Sequence, residues 1–144
     1  VTASAGPLDR AFRSAYAFGL LLCVGLPAGL LLWMVRAPEP VPQPGALDPG
    51  GAFTGMALFL ALAVFQRMRR LRAAFPGLPE GERPRRLGRE LRLAALLLAP
   101  IALLGLAHRV SGAPRAARHA MGFVLLAPCA FLALVPRRAA WGRG

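Results

Sequence analysis

The sequence predicts an all-α integral membrane protein: a bundle of four transmembrane helices, several of them Pro-kinked, with both termini cytoplasmic. Three observations lead there. The chain is 56% hydrophobic and only 17% charged over its 144 residues, with a mean hydropathy of +0.52. Its charge is segregated, since all six acidic residues and nearly all the arginines fall outside the long apolar runs. Finally, those runs are apolar all the way round, whereas a helix of a soluble bundle shows one polar face to water. The whole of 1–144 reads as a single membrane domain.

Residues 1–15 are mixed and mildly amphipathic, with Asp9, Arg10 and Arg13 leading into the first apolar run. That run, 16–35, is a full span, because about 20 residues rising 1.5 Å each cross a hydrocarbon core of roughly 30 Å. Tyr16 and Trp33 stand near its ends, where amphipathic rings favour the headgroups. No small-residue cleavage site follows before Arg36, so the run reads as a span and not as a secretory signal. Linker 36–50 carries Pro38, Pro40, Pro42, Pro44 and Pro49, an extended segment that cannot continue a helix.

The second span, 51–68, is short. Its apolar part ends at Phe65, and it suffices only if Arg67 snorkels its stem back to the headgroups. The Arg-rich loop 67–92 follows, turn-forming between Ala73 and Pro84, with helix resuming near Arg85. The third span is 91–107. The fourth, 119–136, spans if His119 and Pro136 lie in the interfaces.

Topology follows from the arginines, of which there are 18 beside no lysine. Alternating segments place fourteen on one side, with the N-terminus, loop 67–92 and the C-terminal tail, and four on the other. The positive-inside rule makes the fourteen-arginine side cytoplasmic. Arg in place of Lys, with abundant Ala, Leu, Gly and Pro, points to a GC-rich bacterial source and hence to a bacterial cytoplasmic (inner) membrane.

Pro27, Pro100 and Pro128 fall near the middle of three spans, where each removes a backbone donor and favours a kink. Gly25 with Gly29, Ala57 with Ala61, and Ala95 with Ala99 repeat the small-xxx-small spacing that lets helices approach closely, within this bundle or against another subunit. No Asp, Glu, Lys or Arg lies in the middle of a span and the chain has no Asn, so the intramembrane ionisable site of a coupled transporter is not evident. Paired carboxylates, a nucleophile motif and a phosphate-binding Gly-rich loop are equally missing, and no metal site is legible. Cys23 and Cys129 sit inside apolar runs and read as small hydrophobes.

Two features remain. His108 and His119 close the third span and open the fourth. Paired imidazoles of this kind are candidate axial ligands for a b-type haem, or contacts for a quinone or lipid headgroup, against the ordinary reading of two interfacial histidines. Arg67, Arg69, Arg70, Arg72, Arg83, Arg85, Arg86 and Arg89 form a basic cytoplasmic surface. It suits anionic lipids or the acidic face of a larger membrane protein, and its apolar setting argues against nucleic acid. The cofactor, if any, is not specified. Chemically bare spans beside one basic face lead to the expectation of a non-catalytic accessory or assembly subunit of a larger membrane complex, respiratory or energy-transducing in kind. A haem- or quinone-binding anchor of an electron-transfer enzyme is the alternative, and a small oligomeric channel or transporter the third reading.

Overall fold

The computed structural model describes residues 6–113 and 115–141, and the described residues contain helices and turns but no strand. Four helices are long and apolar enough to cross a membrane: α1 (Pro7–Arg36), α2 (Gly50–Ala74, continued by a 3-10 turn to Gly77), α3 (Arg83–Val110) and α4 (Ala116–Leu134). The second span is therefore as long as the others. Its helix extends three turns past Phe65 because alternating Arg and apolar residues give that extension one buried side, through Met68 and Leu71. Residues 7–15 are helical as well. They form the first turns of α1 and bury Leu8, Phe12 and Ala15.

Helix α3 is the axis of the bundle. Of its most apolar stretch 56% is buried, against 17–22% for the other three helices. Its inward face carries the small residues Ala94, Ala95, Ala99, Ala102 and Gly105 together with Leu87, Leu91, Leu98 and Ile101, whereas Leu96 and Leu103 face out. Large apolar residues also cover the outer surfaces of the other helices, among them Leu32, Leu58, Phe59, Phe65 and Leu132. Outer apolar surface of this extent is compatible with lipid contact, and the small inward residues let helix backbones approach closely.

The closest approaches fall at Gly19 and Gly105. A Cβ on Gly19 would lie 2.3 Å from the Phe131 ring, and one on Gly105 only 2.6 Å from the Ala120 carbonyl oxygen. Of the small-residue positions read from sequence, Ala57, Ala95 and Ala99 are buried and Ala61 is half-buried. Gly25 and Gly29 differ. Both are exposed; a Cβ at Gly29 would meet nothing within 4 Å, and one at Gly25 only the side chain of Leu21 on the same helix. They do not mediate packing within the chain.

Of the three prolines inside the long apolar helices, Pro27 coincides with a departure from α geometry, a π turn at Leu21–Gly25. Helices α3 and α4 continue through Pro100 and Pro128. Both cysteines are free, Cys23 buried with its thiol 3.5 Å from the Ala95 carbonyl and Cys129 exposed.

The bundle has two dissimilar ends. At the basic end, Arg67 binds the buried Glu90 carboxylate at 2.8 Å, and Asp9 pairs with Arg138. Trp141 closes the same end. It is buried edge-on against Phe75, with Arg83 over the other ring and donating to the Leu78 and Pro76 carbonyls. At the opposite end, linker 36–50 folds back over the α3–α4 connection through a hydrogen bond from Gln43 N–H to the Gly112 carbonyl.

Candidate functional site

The linker end gathers the most unusual polar group in the protein. Helix α3 runs to Val110 and α4 starts at Ala116, so the connection is much shorter than the 108–119 segment expected, and both histidines stand on helices. Gly112 and Arg115 adopt left-handed backbone, at φ 67° and 62°, which turns the chain sharply enough to lay α4 back along α3. Ser111 helps close that turn, its hydroxyl donating to the His108 carbonyl at 2.7 Å and accepting from the Ala113 N–H. The two imidazole rings come to 5.3 Å between centroids.

His108 is completely buried and His119 half-buried. Phe53 of α2 and Phe123 of α4 each approach the His108 ring at 6.0 Å. Neither ring nitrogen of His108 has a hydrogen-bond partner among the described residues. A third group completes the cluster. Asp48, on the linker, accepts the Gly50 N–H at 2.8 Å and directs the same oxygen, Oδ1, to within 3.8 Å of His108 Nε2. One ligand atom from each of Asp48, His108 and His119 falls within 4.8 Å of the other two.

A groove of about 480 Å³ opens beside the cluster, lined by Asp48, His119, Thr54, Arg118 and Phe123 among others. Asp48 and His119 face it, and His108 lies behind them. For haem or quinone, the two histidines are together as the sequence reading requires. Asp48 and two phenylalanines close on His108 around that ring pair.

Sequence reasoning missed Asp48, which counted only as one charge of a Pro-rich linker. Its signal was local: Asp-Pro-Gly immediately before an apolar run is a helix-start pattern, and it pins the carboxylate at the mouth of α2. Arg109 was missed too. It is buried, and its guanidinium donates to the carbonyls of Ala37 and Pro38 at 3.1 Å each while lying 5.6 Å over the Trp33 ring. It thereby closes the C-terminal end of α1, where unpaired carbonyls attract a cation.

The basic residues at the other end divide in use. Arg67, Arg83 and Arg89 are engaged by Glu90 or by loop carbonyls. Arg69, Arg70, Arg72, Arg85 and Arg86 are exposed and make no ion pair among the described residues. No protein family, curated protein or solved structure matches this chain.

Proposed function

We propose that the protein is a non-catalytic accessory or assembly subunit of a larger complex in the bacterial inner membrane. The observation that carries this reading is the outward placement of Gly25 and Gly29. The chain satisfies its own close packing at Gly19 and Gly105 and leaves a flat second surface on α1. In lipid such a surface gains most from another helix laid against it. The five unpaired arginines at the basic end fit the same role, as a docking face for an acidic partner surface or for anionic lipid, with that end and both termini cytoplasmic.

The test is gentle detergent extraction from the native membrane and identification of co-migrating proteins. Wild type is expected to migrate with one or more larger membrane proteins. Gly29→Leu is expected to abolish co-migration while leaving the bundle's own thermal stability within about 1 kcal/mol, since a Cβ there meets nothing in the chain. A wild-type species that migrates alone, or co-migration that survives Gly25→Leu/Gly29→Leu, overturns the reading.

A further inference from the structure

We propose that Asp48, His108 and His119 form a binding site for a divalent cation of the zinc class, at the end of the bundle opposite the Arg-rich loop. This assignment is independent of any partner of the α1 face. Its first support is the isolation of His108. An imidazole has two polar nitrogens, and in a folded protein a fully buried one is almost always hydrogen-bonded. Here both are buried and neither is bonded. A buried polar atom left unpaired forfeits its hydration with nothing in return, so a histidine is a poor filler at this position unless something meets its lone pair. The groups in contact with it are two phenylalanine rings, the His119 ring and the Asp48 carboxylate.

The second support is geometric. At 3.8 Å, the separation of His108 Nε2 from Asp48 Oδ1 is too long for a hydrogen bond. It is close to the spacing of two ligands on one ion. Zinc bonds of about 2.0–2.2 Å to nitrogen and oxygen, arranged tetrahedrally, hold neighbouring ligand atoms roughly 3.4 Å apart. The third donor completes a set within 4.8 Å. Contraction onto an ion requires side-chain adjustment at Asp48 and His119, both of which line the groove, and the Gly50 N–H already holds the Asp48 carboxylate toward His108. His108, fixed by its burial, sets the position.

The donors also select the ion. Two imidazoles and one carboxylate suit zinc and its first-row neighbours, whereas calcium and magnesium take oxygen ligands almost alone. Three protein ligands leave a coordination position open, and the groove beside Asp48 and His119 supplies both a route in and room for a water. The ion would join three segments: the Pro-rich linker, the last turn of α3 and the first turn of α4. Because ligand nitrogens must be deprotonated, affinity falls as the solution is acidified.

The test uses the full chain without a histidine tag, purified in detergent, stripped with chelator and titrated with Co²⁺, then with Zn²⁺. One Co²⁺ per chain is expected, with the visible absorption of a low-symmetry nitrogen/oxygen site, displaced by equimolar Zn²⁺ and unaffected by excess Mg²⁺ or Ca²⁺. Asp48→Asn and His119→Gln, both at the groove and neither in the packed interior, are each expected to weaken binding at least about tenfold. The double variant is expected to lose the band while its helical circular dichroism and elution volume stay unchanged. Absence of a Co²⁺ or Zn²⁺ complex in wild type overturns the proposal, and so does binding that the double variant retains, which would mark an adventitious ion only.

Discussion

Glu90 and His108, buried on one helix at opposite ends of the bundle, differ in how their polarity is met. At the basic end, Glu90 is buried on α3 but accepts from Arg67 at 2.9 Å and from Arg89 at 3.4 Å. Its charge is matched, and the arginines reach water with their remaining donors. At the linker end, His108 is buried as deeply with no partner for either nitrogen. A matched group needs nothing further and acts as a fastener between α2 and α3. An unmatched one leaves coordination capacity in place. Burial of a polar residue thus does not of itself mark a site; burial without a partner does.

Three substitutions probe that contrast, in falling order of effect. Gly105 lies one turn before His108 and sets how near α4 comes to α3. Gly105→Leu places a Cβ 2.6 Å from the Ala120 carbonyl oxygen and 2.7 Å from Val124, and backbone cannot give way as a side-chain tip does. A loss of about 3 kcal/mol is expected in thermal unfolding, with His108 and His119 driven apart. If the loss is small, the α3–α4 approach is looser than the distances indicate and the histidine pair loses its positional basis.

Glu90→Leu removes the acceptor of Arg67 and Arg89. Arg67 is 44% exposed, so it recovers solvation, and a destabilisation of about 1–2 kcal/mol is expected in the same assay. His108→Phe, measured in chelator-treated protein, is expected to change stability in the other direction, from neutral to a gain of about 1 kcal/mol, because an unsatisfied group is replaced by a ring of similar shape. Loss of stability on that replacement would mean that His108 already has an effective partner, and would erase the contrast between the ends.

How much of this was readable beforehand differs by residue. The spans at 16–35 and 91–107 were evident from length and apolar composition, as was the turn-rich stretch between Ala73 and Pro84. The second span looked marginal only because apolarity stops at Phe65; helix continues to Ala74 on the strength of one buried face, which composition averages away. Gly25 and Gly29 announced close packing by their spacing, yet spacing does not say toward what, and they face away from the rest of the chain. The histidines stood out as a pair flanking one connection. Asp48 did not, since it is sixty residues from His108 and nothing local ties the two.

Legible in the sequence was the architecture: four helices long and apolar enough to cross a membrane, charge gathered at their flanks, and a basic loop opposite a Pro-rich linker. These follow from composition and length, which act locally along the chain. Tertiary structure alone decided which small residues carry the packing, which arginines are engaged, and that Asp48, His108 and His119 meet. Those outcomes depend on the rotation of each helix about its axis and on where the linker folds back. Both are fixed by contacts such as Gly105 on Ala120 and Arg109 on the end of α1, between segments far apart in sequence.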